Sequence, residues 1–462
     1  MPGLHFDTLD RLNSGSRVRE DDFDKSIFPR VKELIKKYEI KFDPETPVPA
    51  DDAMADRLFA AGMEYAVEKG LWVLDTQKVI KFTAAEIWRV LDNLHSPLWF
   101  GHAKDQVCLQ PRKPESTIRP LVLGGAAGSS VTEGEIYTKL MMGYALEPTI
   151  DMISNANPTF IEGREIQPFS PLETHGAIQE VGWIREAVRR SGRPGMPLWV
   201  APGAAATAPP AIAIINEERG IRKGDFLYAA MLTELKIDFD RLTRAVAAIE
   251  NEIHVATLLA PMIGGWAGPP EGAAVVGVAE CILAATAFSA TIAVNHPVIM
   301  TLKNGATTHR QTLWVESAIG QAMSRNTNFP LGQNVFVDAR AGTREILYEA
   351  AANAAVAVSS GQHTGAGPSG VTGGDDVDMI SPMEARMMGE VSRAVTGMSR
   401  VDANEIVKYC LQQYEPTLGH PPRGKRYQDL YDLECMKPGQ EWLDLFETVK
   451  ADLKAHGVPF RY

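Results

Sequence analysis

The chain has 462 residues, 45% of them apolar and 23% charged, and 46 Lys+Arg against 58 Asp+Glu leave a formal charge of −12. This is the composition of a folded globular chain with enough length for a large core, either about three ordinary domains or one barrel with appended helices. A negative balance without any basic stripe excludes nucleic acid as the main partner, because phosphate binding works by releasing counterions from clustered Lys and Arg.

Residues 1–113 read as a helical N-terminal extension. Its first residues carry neither the basic start nor the apolar run of a signal peptide, so a cytoplasmic chain is expected. Ile27, Val31, Leu34 and Ile35 mark one amphipathic stripe, and Met54, Leu58 and Ala61 begin another, at the three- and four-residue spacing of helices. Thr83 followed by Glu86 predicts a capping box at a helix start.

From 114 to 400 the texture changes to short apolar runs alternating with helical spans, the pattern of parallel strands covered on both faces. The predicted strands are 120–124, 148–154, 196–201, 227–232, 255–263, 297–302 and 335–338, with an eighth between 359 and 380. Eight strand–helix units predict an α/β fold of the (β/α)8 TIM-barrel type. The rival, an open doubly wound sheet, needs a G-x-G-x-x-G turn, and Gly124-Gly125-Ala126-Ala127-Gly128 has the wrong spacing. The run 272–294 is long and apolar enough to imitate a membrane span, but Glu280 stands inside it. A mid-helix carboxylate costs roughly 2.5 kcal/mol or more in lipid, so a buried core helix is expected and no membrane partner. Residues 401–462 read as a helical C-terminal extension. Cys108, Cys281, Cys410 and Cys435 lie far apart, as reduced thiols do, and no His or Cys spacing predicts a metal site.

In such a barrel the reactive groups come from the C-terminal ends of the strands. That rule nominates Glu234 after the fourth strand, Lys303 and Asn304 after the sixth, and Gln333 and Asn334 at the seventh. Trp199, Tyr228, Trp266 and Phe336 fall in or beside predicted strands, where their rings can converge on one cavity. Aromatic faces attract a desolvated quaternary or protonated amine by roughly 0.5 to 2 kcal/mol each. If the substrate carries a carboxylate, Arg310, Lys303 or Arg340 could pair with it.

Four runs carry a resemblance: Leu232-Thr233-Glu234-Leu235-Lys236-Ile237-Asp238, Gly192-Arg193-Pro194-Gly195-Met196, Gly264-Gly265-Trp266-Ala267-Gly268 and Met383-Glu384-Ala385-Arg386-Met387-Met388-Gly389-Glu390. Together they resemble the monomethylamine:corrinoid methyltransferases of methylotrophic archaea, over nearly the whole chain. The resemblance implies a barrel assembled as a homohexamer. It also implies transfer of a substrate methyl group to the Co(I) corrinoid (cobalamin) of a partner protein, with no corrinoid tightly bound by the chain itself.

It further implies a pyrrolysine a few residues after the Gly-Arg-Pro-Gly-Met motif. Here that stretch reads Met196-Pro197-Leu198-Trp199-Val200-Ala201-Pro202-Gly203, with Trp199 or a close neighbour at the position. The family's acid before the fifth strand's proline is replaced, since Thr257-Leu258-Leu259 precedes Ala260-Pro261, and the Gln of its seventh-strand loop corresponds to Gln333 or Asn334. Pyrrolysine captures methylamine through an electrophilic imine, which none of these side chains can supply. A quaternary ammonium already carries a neutral amine as its leaving group and needs positioning rather than capture. The expectation is therefore a pyrrolysine-independent, corrinoid-dependent methyltransferase for a quaternary amine or betaine. Trp199, Tyr228, Trp266 and Phe336 would form the cation pocket, Glu234, Gln333 and Asn334 the polar orienters, and Arg310 the carboxylate partner. The alternatives are methyl transfer to tetrahydrofolate and a catalytically silent small-amine-binding protein.

Overall fold

Eight short parallel strands close on themselves: β1 (Leu123–Gly124), β2 (Met152–Ser154), β3 (Leu198–Val200), β4 (Phe226–Tyr228), β5 (His254–Leu259), β6 (Ile292–Asn295), β7 (Leu331–Gln333) and β8 (His363–Thr364). Neighbours pair in chain order, and a parallel bridge from Val122 to Thr364 joins the last strand to the first. The computed structural model describes residues 6–94, 96–201, 207–302, 305–365, 367–370 and 376–460.

Alternate residues of a strand face opposite sides, so each barrel strand sends one set inward and the other toward the helices. The inward set is Leu121, Leu123, Met152, Trp199, Phe226, Tyr228, Ala256, Ile292 and Val294, which form one buried cluster. Phe100 and Leu109, from the hairpin of Leu98–Phe100 and Val107–Leu109, close its N-terminal end. The packing leaves a void of about 20 Å³, so the barrel interior is a core and not a channel.

Two predicted strands are displaced. β6 begins at Ile292 and β7 at Leu331, each several residues before the runs 297–302 and 335–338. Those later runs contain Val298–Ile299 and Phe336–Val337, which belong to a collar above the barrel. There Met262–Ile263 pairs with Val298–Ile299, Phe336–Val337 with Ser369–Gly370, and Ser130–Val131 with Asn157–Pro158. The collar strands are richer in β-branched and aromatic residues than Ala293 or Gly332, which is why local propensity favours them.

The N-terminal region is not helical throughout. Helix α1 (Asp52–Lys69) and the capped helix Ala84–Asp92 form, with Thr83 and Glu86 making the predicted capping box. Between them Leu71–Val73 and Lys78–Ile80 make a small sheet whose far edge is Lys236–Ile237, from the fourth strand-to-helix connection. Helix α2 (Pro270–Ala287) is the apolar run, and 94% of its most apolar window lies inside the protein, as a core helix requires. It packs between α1 and α3 (Arg310–Asn326). The approach is close enough that a Cβ on Gly62 of α1 would meet Val278 Cγ1 at 2.3 Å. Helix α4 (Arg344–Ser359), helix α5 (Pro382–Ala394) and the last helix, Gln440–Ala455, are further members of the shell, with Glu135–Leu146, Pro171–Arg190, Phe239–Glu250 and Arg400–Tyr414.

Candidate functional site

Just beyond β6 and β7, His296 and Asn334 lie side by side. Asn295 and Gln333 are register partners at the ends of these strands, and the Asn334 amide nitrogen donates to the Asn295 carbonyl at 2.9 Å. Ile292 and Val294 face the barrel interior, so His296 has inward parity; Gly332 lines the interior void, so Asn334 has it too. Asn334 Nδ2 donates to His296 Nδ1 at 2.9 Å, which places the ring proton on Nε2. Burial lowers the His296 pKa to about 4, so the ring is uncharged at neutral pH. Asn334 is 4% exposed, and its Oδ1 has no hydrogen-bond partner among the described residues.

Phe336 stands over this pair, edge-on to His296 with ring centroids 5.1 Å apart. Its other neighbour is Gly128 of the first strand-to-helix loop, at φ +91, where a Cβ would meet Phe336 Cζ at 2.4 Å. Only glycine allows both that backbone conformation and that approach. Tyr228 continues the inward row of β4, and burial raises its phenol well above the ordinary range, so it stays protonated. Half-buried Ala201 and Leu258 share the inward parity of Trp199 and Ala256. The mouth of the barrel thus combines aromatic, amide and uncharged imidazole groups.

The other nominated side chains have different surroundings. Trp199 is 4% exposed, stacked on Phe226 at 4.4 Å and edge-on to Tyr228 at 5.6 Å. It belongs to the packed interior beneath the mouth. Among the described residues no ring contact joins Trp199 and Tyr228 to Phe336 or Trp266. Trp266 is 46% exposed on the fifth loop, at the rim.

Gln333 has outward parity and lies in the helix layer, donating to Glu316 and, at 2.6 Å, to Asn353 Oδ1. A one-residue difference in position along a strand therefore separates the two candidates, Asn334 in the mouth and Gln333 behind it. Glu234 is buried behind the fourth and fifth loops, where its Oε1 accepts from the Met262 amide at 3.0 Å. Burial raises its pKa to about 7 and that of neighbouring Glu280 to about 8, the second with repulsion from Glu234 added. Glu280 Oε1 accepts from the Leu235 amide at 3.2 Å, so the two acids brace the loops.

Arg310 is committed elsewhere: its guanidinium grips Glu415 through two bonds of 2.7 and 2.6 Å and reaches the Pro44 carbonyl at 2.8 Å. Arg340 pairs with Asp376, and Lys303 and Asn304 lie outside the described residues. His296 was missed because the sixth strand was expected five residues too late. The available signal was the polar break Asn295-His296-Pro297 ending an apolar run.

Residues 4–458 match the family model described as monomethylamine methyltransferase MtmB. Monomethylamine methyltransferase MtmB2 of Methanosarcina acetivorans is 31% identical over 456 residues, covering 98% of each chain. MtmB1 of Methanosarcina barkeri is likewise 31% identical over 98% of both chains. The crystal structure of the Methanosarcina barkeri monomethylamine methyltransferase superposes with a TM-score of 0.93 at 30% identity, again over 98% of both chains, and so does that of a hydroxylamine MtmB complex. With the sequence matched almost end to end and the barrel, collar and extensions superposing as one body, the chain belongs to the MtmB family of monomethylamine methyltransferases.

Proposed function

We propose that this methyltransferase takes a methyl group from a methylated amine and hands it to the Co(I) corrinoid of a separate protein. The whole-length likeness to the monomethylamine methyltransferases carries this reading. The rim fits such a partner, because Trp266 and Met300 on adjacent loops leave apolar surface exposed beside the mouth.

The donor we favour is a quaternary amine or betaine, used without pyrrolysine. Two features support this: the segment after Gly192–Met196 consists of ordinary residues, and Tyr228, His296, Asn334 and Phe336 are uncharged groups beside the position a cation would take. Aromatic edges and amide dipoles solvate a cation where water is excluded. On transfer the N–CH3 bond breaks with its electron pair left on nitrogen, which departs as a neutral tertiary amine. The carbon bonds to cobalt through the metal's electron pair, and no proton moves. Orientation is the protein's contribution. Trp199 acts as a floor, and a betaine carboxylate finds no partner in Arg310, which Glu415 already holds. A cytoplasmic homo-oligomer, with the barrel at 114–400, completes the reading.

Mixing the chain with a Co(I) corrinoid protein and a panel of methylamines and betaines tests it. Methyl-cobalt absorbance with a quaternary donor is expected; none with any donor overturns the reading. Methyl transfer to tetrahydrofolate without a cobalamin protein, or tight amine binding without turnover, assigns one of the alternatives.

A further inference from the structure

At the N-terminal end of the barrel, opposite the mouth, a cavity of about 920 Å³ opens between the segments that enter β1 and β2, the second half of α5 and the last helix. Arg119, Arg386, Arg393 and Lys450 line it. Two of these cations are spent on structure. Arg393 ties the Pro120 and Thr149 carbonyls to Asp151, and Lys450 holds Glu390 at 2.6 Å. The other two keep donors in hand. Arg119 has a side chain 60% exposed and bonds only Asp151 among the described residues. Arg386 reaches Glu390 at 2.8 Å through Nε, so both terminal nitrogens of its guanidinium lack a partner among the described residues. Four cations against Asp151 and Glu390 leave two positive charges uncompensated, and exposed Glu447 acts on Arg386 only through water.

A further carboxyl, Glu147, lines the cavity and accepts no hydrogen bond among the described residues. Burial raises it to about 7, so near neutral pH it is partly protonated and able to donate. Pro148, Ala394 and Phe460 add apolar wall. A hollow lined mainly by one sign of charge concentrates the opposite ion, and the volume is that of an organic molecule rather than of a bare inorganic ion.

We propose that this cavity is a second binding site, for an organic oxyanion whose carboxylate or phosphate end meets the guanidinium of Arg386, with Arg119 beside the entrance and the apolar body against Pro148, Ala394 and Phe460. The planar fork of Arg386 suits either headgroup. Glu147 donates to the anion when it carries its proton and repels it when ionised. The site lies at the other end of the barrel from the mouth, so the inference does not rest on methyl transfer.

Calorimetry of the full chain with sodium phenylacetate and with phenyl phosphate tests it, and the tighter of the two identifies the headgroup. Saturable one-to-one binding is expected at pH 6, and none of 2-phenylethanol, which has the ring without the charge. Arg386→Gln is expected to weaken the anion about tenfold, the scale of hydrogen bonds to a charged group. Should that variant lose its fold by circular dichroism, Arg119→Gln serves in its place, with at least threefold weakening expected. Phenylacetate keeps one charge between pH 6 and pH 8, whereas Glu147, facing Arg386, Glu390 and the Tyr431 phenol, ionises over that range. Wild-type affinity should therefore fall several-fold by pH 8, and Glu147→Gln should keep at pH 8 the affinity that it has at pH 6. No saturable binding of either anion, equal binding of 2-phenylethanol, unchanged affinity in the arginine variant, or the same pH dependence with and without Glu147 overturns the inference.

Discussion

Single side chains decide whether a group serves the mouth or the core. Trp199 fills the barrel interior against Phe226 and Tyr228, so Trp199→Ala is expected to lower unfolding free energy by about 3–5 kcal/mol in a denaturant titration, the usual cost of emptying an aromatic site. A residue serving only as an open cation wall would change affinity and leave stability almost untouched. Gly128 is the complementary case. Gly128→Ala places a methyl 2.4 Å from the Phe336 ring at a φ of +91, so Phe336 must shift off His296. Ammonium affinity is expected to fall several-fold by calorimetry, with thermal stability also reduced. Gln333 differs from both: Gln333→Leu strands Glu316 and Asn353 without their donor in a buried network, and a loss of about 1–3 kcal/mol in stability is expected, with amine affinity retained.

At the level of whole elements, α2 couples the helix layer to the fourth strand-to-helix loop through Glu280. Its carboxyl is raised to about 8 by burial and by Glu234, so the folded protein prefers the protonated form. A group raised on folding stabilises fully below its unfolded value near 4.5, and that contribution is lost as pH climbs through the folded value. Wild-type melting temperature should therefore fall between pH 5 and pH 9. Glu280→Gln still accepts from Leu235 but does not titrate, so its melting temperature should exceed wild type by several degrees at pH 9 and converge with it at pH 5. Differential scanning calorimetry at the two pH values reads this directly; parallel curves would show that folding does not raise the Glu280 carboxyl. The collar has a similar linking role, since it carries the barrel's parallel pairing past β6 and β7 into the loops that hold Trp266 and Phe336.

The extensions finish the barrel, so the whole molecule is expected to unfold as one cooperative body. The hairpin bearing Phe100 and Leu109 closes the barrel floor, and α1 covers the face of α2 that would otherwise lie bare. A fragment of residues 114–400 is expected to be insoluble or to lack a cooperative melt when expressed alone, whereas the full chain melts as a unit. Much of this architecture was legible beforehand. Alternating apolar runs and helical spans are local patterns, so barrel class, the buried helix around Glu280 and the Thr83–Glu86 cap could be read from spacing alone. The site was only partly legible, because it depends on parity: period two along a strand sends Asn334 to the mouth and Gln333 to the helices, and a strand end misplaced by a few residues hid His296. Whether four rings make one cage or Arg310 is free to meet a carboxylate depends on partners hundreds of residues away in the chain, such as Pro44 for that arginine. Composition and spacing settle what each segment prefers on its own; which group it meets is settled only when distant segments are packed together, since short-range patterns carry no information about that distance.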